Sequence, residues 1–314
     1  MTAVKNPRPP ILVTGAHRSG TTWVGKMLTA SRETAYISEP FNRWRRPGVF
    51  NGPIQYWYTY VCSENAAEYN QPYSRILSFR YNTLDELRSL RSFKDAIRMA
   101  RDARSFLSGW IFNRRPLVKD PFAFFSAPWI AQTFGCAVVI TMRHPAAFVS
   151  SLKRLDWPFD FSDLIDQPLL VQDWLAPFYQ KMLEGNHDKA DLIGNGSLLW
   201  RILYQVGSQF IEANPEFILV KHEELSRDPF SGFQTLYSRL DLDFSTGAQK
   251  IIRNSSASGN PTEIARQDIY GTRVDSQANL ANWKRRLSSD EIKRIREITG
   301  EAASRYYGDD EWIN

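Results

Sequence analysis

The stretch "ILVTGAHRSGTTW", residues 11–23, decides the fold. Its first residues form a short apolar run of the kind typical of a buried parallel strand. Gly15 and Gly20 then bracket a tight turn, and the residues after Gly20 suit the start of a helix. A strand that turns into a helix in this way directs backbone N–H groups and the positive end of the helix dipole at one point. The stretch therefore predicts a loop that binds phosphate or sulfate.

The same loop differs from the phosphate-binding loop of ATP- and GTP-dependent enzymes in one residue. Gly15, Gly20 and Thr22 match that pattern, but Thr21 stands where the lysine that reaches the β- and γ-phosphates is expected. The cation of this loop, Arg18, precedes the second glycine instead. A tight turn without a ligand is the alternative reading, but the flanking strand and helix and the internal cation favour an anion site.

Further apolar runs alternate with helix-like segments along the chain. The predicted strands are 11–15, 34–40, 117–121, 137–145 and 217–225, and the predicted helices are 21–31, 84–108, 122–134, 146–155, 197–213 and 229–240. The helix 84–108 has Leu84, Leu87, Leu90, Ile97 and Phe106 as its expected apolar positions, and Ser288 and Ser289 are candidate caps of a last helix. This order predicts an α/β fold with a central, mainly parallel sheet flanked by helices.

The 314 residues are expected to form a single domain, 1–314, with two long insertions. Residues 41–83 are rich in aromatic residues, and 156–196 contain "DWPFDF". Loops of this length commonly form lids or walls of binding sites. The stretch "FNRWRRP", 41–47, is a candidate wall for an acceptor.

Charge and composition narrow the function classes. The chain has 39 Lys and Arg against 34 Asp and Glu, which suits an anionic ligand but lacks the dense basic stripe of a nucleic-acid-binding protein. Cys62 and Cys136 match no metal-ligand spacing. The first residues, "MTAVKNPRPP", lack a secretory signal, and no segment reaches the roughly 18 apolar residues of a membrane span. A soluble protein of the cytoplasm, with no nucleic-acid partner, is expected.

A second candidate anion site is the stretch "RHPAAFVSS". Arg143 follows an apolar run at the predicted carboxyl end of a strand, the edge at which α/β sheets bind ligands. Pro145 suits the first turn of a helix, and Ser151 lies about two turns further on. The alternative is that Arg143 pairs with a structural carboxylate and that Ser151 faces solvent.

Together, "HRSGTTW" and "RHPAAFVSS" resemble the two cofactor motifs of sulfotransferases that use 3′-phosphoadenosine 5′-phosphosulfate (PAPS). The resemblance implies that the first loop holds the 5′-phosphosulfate, through His17, Arg18, Ser19, Gly20, Thr21 and Thr22. It implies that Arg143 and Ser151 hold the 3′-phosphate and that Trp23 stacks on the adenine. "LVKDP", "VKHEELSRDP" and "NWKRRLSSDEI" are similar to further segments of the family. A C-terminal basic residue covers the 3′-phosphate in some branches, and the candidates are Arg273, Lys284 and Arg285.

The catalytic residues are expected beside the first loop. Arg18 would stabilise charge on the leaving phosphate. Glu39 closes the second predicted strand and matches the glutamate that acts as general base in glycan sulfotransferases; the alternative is that it caps the following turn or pairs with Arg43. Asp120 is the alternative base, and Lys119 either binds sulfuryl oxygens or pairs with Asp120.

The resemblance implies transfer of a sulfuryl group from PAPS to a hydroxyl of a carbohydrate or small molecule, with no metal ion. The histidine base of steroid and phenol sulfotransferases is absent from "VKDPF". His17, His144, His187 and His222 are interpreted as structural rather than catalytic. A kinase that uses ATP on a small molecule and a non-catalytic nucleotide-binding protein are the alternatives.

Overall fold

The described residues of the computed structural model, 8–44, 46–265 and 271–312, are built around a five-stranded sheet. Its strands are β1 (Ile11–Gly15), β2 (Thr34–Ser38), β3 (Arg115–Lys119), β4 (Ala137–Met142) and β5 (Ile218–Lys221). They lie in the order β2-β3-β1-β4-β5, and every neighbouring pair is parallel. The predicted α/β fold with a parallel sheet is confirmed.

Helices cover both faces of the sheet. They are α1 (Thr21–Thr29), α2 (Ala67–Leu77), α3 (Thr83–Ser89), α4 (Phe93–Ile111), α5 (Ala127–Phe134), α6 (Pro145–Leu155), α7 (Ser162–Ile165), α8 (Pro168–Leu170), α9 (Tyr179–His187), α10 (Leu192–Ala213), α11 (His222–Arg227), α12 (Pro229–Arg239), α13 (Thr246–Ser256), α14 (Ser276–Leu280), α15 (Asn282–Arg286) and α16 (Ser289–Ala303). No helix of the described chain is long and apolar enough to cross a membrane.

The central strand shows why the apolar runs lack alternation. In β1, Ile11 and Val13 join the core that contains α1, α12 and α13, whereas Leu12 joins the larger core that contains α6 and α10. Apolar side chains are needed on both faces because each face packs against helices.

Several predicted boundaries were wrong. The predicted helix 84–108 is two helices, α3 and α4, because Ser92 caps a new helix by accepting a hydrogen bond from the Asp95 N–H. Most of its expected apolar face is exposed, and Phe106 alone of the five named positions is buried. The second strand ends at Ser38 because Glu39 takes a φ of 50°, and the last strand ends at Lys221, where α11 begins.

The two predicted insertions pack against each other beside the sheet. Asp163 accepts hydrogen bonds from the Trp57 N–H, at 3.1 Å, and from the Arg43 guanidinium, at 3.1 Å. Gln167 similarly accepts one from the Tyr60 N–H at 2.7 Å. At the C-terminal end, Ser288 caps α16 in a reciprocal capping box with Glu291, as the sequence predicts.

Candidate active site at the carboxyl edge of the sheet

Each of the five strands ends at, or just before, a residue that was singled out in the sequence, and these strand ends share one edge of the sheet. Gly15 ends β1, and the residues that follow the other strands are Glu39, Asp120, Arg143 and His222. The strands are parallel, so their carboxyl ends lie together, at the edge where open α/β sheets bind ligands.

The loop after β1 needs its two glycines. A Cβ on Gly15 would lie 2.3 Å from the Thr141 carbonyl oxygen, and one on Gly20 would lie 2.7 Å from Cδ2 of His222. Both glycines also have a positive φ, of 141° and 100°. The Ser19 hydroxyl lies 2.7 Å from the Thr141 hydroxyl, which fixes the turn to β4.

Part of the loop and the start of α1 line a cleft, whereas other loop residues pack against the interior of the protein. The cleft is lined by Arg18, Gly20, Thr21, Thr22 and Trp23. Gly20 is the N-cap residue of α1, and no side chain caps this helix start. The first N–H groups of a helix have no acceptor within the helix, so they are available to an anion.

His17 and Ser19 do not line this cleft. The His17 N–H donates to the Tyr58 hydroxyl at 3.0 Å, and its ring lies 2.7 Å from the same oxygen. Burial, together with the nearby Arg18, lowers the pKa of His17 to about 3. Both residues therefore shape the loop from within the protein.

Four guanidinium groups converge on the cleft, from Arg18, Arg143, Arg154 and Arg286. Arg18 Nε donates to the Ser151 hydroxyl at 3.2 Å, and Arg143 Nη1 donates to the Arg18 carbonyl at 3.3 Å. Burial and the neighbouring arginines lower the pKa of Arg18 and of Arg286 to about 10, so both remain charged at neutral pH.

Arg143 Nε is buried and has no hydrogen-bond partner within the described part of the chain. A buried donor without a partner costs free energy, and a donor that belongs to a charged group costs more. An anionic ligand oxygen would satisfy this group, which makes the cleft suited to phosphate or sulfate.

Glu263 is the one carboxylate among the described residues that line the cleft. It pairs with Arg286 and lies 3.4 Å from Arg154 Nη1. Its charge opposes only part of the charge of the four arginines, so a net positive potential remains.

The sequence prediction named three other basic residues for this site. Arg273, Lys284 and Arg285 do not line the cleft, although Arg273 lies between the lining residues Thr272 and Val274. Lys284 lies over the Trp283 ring, and Arg285 donates to the Asn282 side chain. Arg286 and Arg154 face the cleft instead. Arg154 was predictable, because it follows Ser151 by three residues on the same helix and so shares its face.

Trp23 and Ser151 lie where the motifs put them, but Trp23 is largely a core residue. Its indole N–H donates to the Ser255 hydroxyl at 3.2 Å, and its ring packs edge-on against Phe233 at 5.2 Å. Only 9% of Trp23 is exposed, so it presents an edge to the cleft. Next to it, His222 also lines the cleft.

A buried ion pair joins Glu39 to Lys119 at the ends of β2 and β3. The Glu39 N–H donates to the Lys119 carbonyl at 2.8 Å, and the Glu39 carboxylate also accepts from Asn42 Nδ2 at 2.7 Å. Burial alone would raise the pKa of Glu39, but the charge of Lys119 and these hydrogen bonds outweigh burial and lower the pKa. Arg43 pairs with Asp163 and not with Glu39, and the ion-pair partner of Lys119 is Glu39. The bond from Asn42 also ties the Glu39 carboxylate to the turn that follows β2.

Asp120 is engaged by the backbone. Its two oxygens accept from the Phe41 N–H at 2.6 Å and the Phe122 N–H at 2.9 Å. Burial raises the pKa of Asp120 to about 7. Its geometry is that of a cap that ties the segment after β2 to the segment after β3.

Aromatic side chains border the edge between Arg18 and Glu39. Trp157 lies under the Arg18 guanidinium, 5.8 Å from its carbon to the ring centroid. Trp57 packs on Phe122 at 4.3 Å and on Trp44 at 5.4 Å between ring centroids. These rings come from both predicted insertions and from the turn after β3.

The edge described above combines a strand–loop–helix turn and an arginine-lined cleft with a buried carboxylate, which defines an α/β protein with a cleft suited to an anionic group. A family model described as "Sulfotransferase family" matches residues 9–246. The chain belongs to the sulfotransferase family, a family of transferases, and the predicted membership of this family is confirmed.

Individual relatives are distant. Carbohydrate sulfotransferase 1 of Danio rerio is 32% identical over 74 residues, which cover 24% of this chain and 17% of that protein. The sulfotransferase domain of the Synechococcus PCC 7002 olefin synthase is 15% identical, covers 97% of this chain and 96% of its own, and has a TM-score of 0.46. Mouse sulfotransferase SULT7A1, solved in complex with PAP (adenosine 3′,5′-bisphosphate), is 12% identical. The match covers 98% of this chain and 87% of the mouse chain, with a TM-score of 0.43.

Proposed function

We propose that the protein transfers a sulfuryl group from PAPS to a hydroxyl of a carbohydrate or small-molecule acceptor. The observation that carries the proposal is the arginine-lined cleft at the start of α1, with Arg143 Nε buried and unpartnered within the described chain. PAPS has two anionic ends, a 5′-phosphosulfate and a 3′-phosphate. The cleft offers a helix N-terminus with Arg18 for the first and Arg143, Ser151, Arg154 and Arg286 for the second.

The chain's residues would supply position and charge. When bound, the donor supplies an activated sulfur–oxygen bond, and the acceptor oxygen forms a new bond to sulfur as the bridging oxygen departs with adenosine 3′,5′-bisphosphate (PAP). Arg18 and the N–H groups at the start of α1 would stabilise the charge on the departing phosphate. Arg18 can act only through charge and hydrogen bonds, because a guanidinium does not give up its proton in proteins.

Glu39 is our candidate for the group that takes the proton from the acceptor. Its carboxylate is ionised and held by Lys119 and Asn42, so it can accept a proton without first losing one. Lys119 would approach the sulfuryl oxygens and thereby weaken its hold on Glu39, which raises the basicity of the carboxylate. Asp120 is the weaker candidate because both of its oxygens are held by backbone N–H groups.

The acceptor would lie between the segments 41–83 and 156–196, which we propose to be parts of the single domain 1–314. Trp44, Trp57 and Trp157 expose ring surface there, and aromatic faces suit sugar rings as well as phenols. The match to a carbohydrate sulfotransferase supports a carbohydrate acceptor. Cys62 and Cys136 are unpaired, which supports our placement of the protein in the reducing cytoplasm.

The test is release of PAP from PAPS, measured with saccharides and with phenols as acceptors. We expect acceptor-dependent release without added Mg²⁺, and loss of most of the rate in Arg143→Ala. Phosphate transfer from ATP that requires Mg²⁺, with no PAP release, would instead establish a kinase.

A further inference from the structure

The outward face of α4 is apolar although it faces solvent. Phe93 and Ile97 near its start, and Leu107 and Ile111 at its end, lie on one side of the helix, with Ala100 and Arg104 between the two pairs. The opposite side carries the buried residues of α4, which are Asp102, Phe106 and Gly109. The apolar side is therefore a second face of the helix, in addition to the one that packs on the protein.

Neighbouring residues extend this face into a surface, which we name the α3–α4 surface. The exposed fraction of its apolar side chains ranges from 50% for Leu87 to 81% for Phe93. These apolar residues are Leu84, Leu87, Phe93, Ile97, Leu107, Trp110, Ile111 and Phe112. Single exposed apolar residues are ordinary, but a contiguous patch of large ones marks an interaction site.

The α3–α4 surface is also basic. Residues 83–114 contain seven Lys or Arg and four Asp or Glu, and the basic residues are Arg88, Arg91, Lys94, Arg98, Arg101, Arg104 and Arg114. The two acids of α4 are engaged, Asp95 with Arg98 at 2.7 Å and Asp102 with Arg46 and Arg101. The surface therefore presents large apolar side chains among excess positive charge.

We propose that the α3–α4 surface docks the protein on an anionic lipid membrane. Large apolar residues on one face with arginine and lysine beside them are the two signals that hold an amphipathic helix at a membrane interface. A second copy of the chain fits less well, because antiparallel packing of α4 on itself would bring Arg101 and Arg104 close to their own copies. The helix would lie on the membrane, not cross it, in keeping with the absence of a spanning helix from the described chain.

The docked orientation would bring the acceptor wall close to the lipid. Trp44, which borders that wall, shares a groove with Arg88, Arg91 and Arg98 at the start of the α3–α4 surface. The docking proposal does not depend on the donor or the acceptor proposed above, because it rests on residues outside the cleft.

The test is flotation of the full chain with vesicles. One set contains phosphatidylcholine alone, and the other contains equal amounts of phosphatidylcholine and phosphatidylglycerol. We expect flotation with the second set only, weakened by salt because surface charges are screened. Phe93→Gln with Ile97→Gln should reduce binding about tenfold or more, because each buried apolar side chain adds substantially to partition. Lys94→Gln with Arg104→Gln should reduce binding to the anionic set and its dependence on salt.

The matched control is Lys250→Gln with Ile251→Gln, which removes one exposed basic and one exposed apolar residue from α13. It should leave flotation unchanged, and thermal unfolding of all variants checks that they fold. The proposal is overturned if the wild-type chain does not float with anionic vesicles, or if the control variant loses as much binding as the α4 variants. It is also overturned if sedimentation shows a dimer that Phe93→Gln with Ile97→Gln abolishes while vesicle binding persists.

Discussion

At the scale of single residues, the ion pair between Glu39 and Lys119 is the place where the proposed catalytic role can be tested apart from ligand binding. Neither residue lines the arginine cleft, so we expect Glu39→Gln to lose at least about a hundredfold in turnover and to bind PAP as the wild type does. Asp120→Asn is the comparison, and its main effect should be on stability, because Asp120 caps backbone N–H groups. Steady-state rates and PAP titrations on both variants provide the measurement. Unchanged turnover in Glu39→Gln would move the proton acceptor elsewhere.

Replacement of Glu263 is expected to strengthen the binding of PAP. Its carboxylate pairs with Arg154 and Arg286, two of the groups that we propose to hold the 3′-phosphate, so it would compete with that phosphate. We expect Glu263→Gln to tighten PAP binding by about tenfold, the effect of a charge contact worth about 1.4 kcal/mol. Glu301→Gln, which removes an exposed partner of Arg201, should leave the affinity unchanged. Weaker PAP binding in Glu263→Gln would show that the carboxylate supports the site.

Sequence reasoning located the motif residues but not their surroundings. Gly20, Arg18, Arg143 and Ser151 were predictable because each stands at a fixed place relative to a strand end or a helix start. Glu263 and Arg286 were not, since they reach the cleft through tertiary packing of distant segments. His17 and Ser19 belong to the motif but face inward, and only the contacts with Tyr58 and Thr141 reveal that orientation.

At the scale of elements, the turn from β1 into α1 depends on Gly20. A methyl group there would meet the His222 ring, and φ is 100°, so we expect Gly20→Ala to distort the loop and reduce PAP affinity at least about tenfold. Gly135→Ala is the matched control, because Gly135 has a φ of 64° with nothing within 4 Å of the added Cβ. It should cost only about 1 kcal/mol of stability and leave PAP binding intact. Equal PAP affinities in the two variants would contradict this role for the loop.

The elements 84–108 show where periodicity misleads. The spacing of Leu84, Leu87 and Ile97 indicates an amphipathic helix, and helices do form there. Periodicity identifies an apolar face but not its partner, so the sequence could not show that this face points to solvent. The strands were easier to predict, because apolar runs with both faces covered have few other placements.

At the scale of the whole molecule, buried histidines couple stability to pH. Burial lowers the pKa of His17 and of His144 to about 3, against about 6.5 when unfolded. Between these values the unfolded chain binds more protons, so this contribution is complete above about pH 6.5 and is lost as pH falls towards 3. Asp120 opposes the trend, because burial raises its pKa to about 7.

The histidine contribution can be isolated in His144→Asn. Asparagine can still cap α6, where the His144 ring now accepts from the Ala146 N–H, but it does not titrate. We expect the loss of unfolding free energy on acidification from about pH 6 to about pH 5 to shrink by about 1 kcal/mol in urea titrations. The exposed His187, replaced in the same way, is the control and should leave that difference unchanged. An unaltered slope in His144→Asn would mean that His144 is not held neutral by the fold.

The central claim is that the cleft recognises a nucleotide with both a 5′- and a 3′-phosphate. The most direct test is calorimetric titration of PAP and of AMP, which lacks the 3′-phosphate, without Mg²⁺, and of ATP both without and with Mg²⁺. We predict that PAP binds at least about tenfold more tightly than AMP or ATP, and that Arg143→Gln and Arg286→Gln remove this advantage while AMP binding persists. Equal affinity for PAP and AMP, or tight binding of ATP only with Mg²⁺, would contradict it.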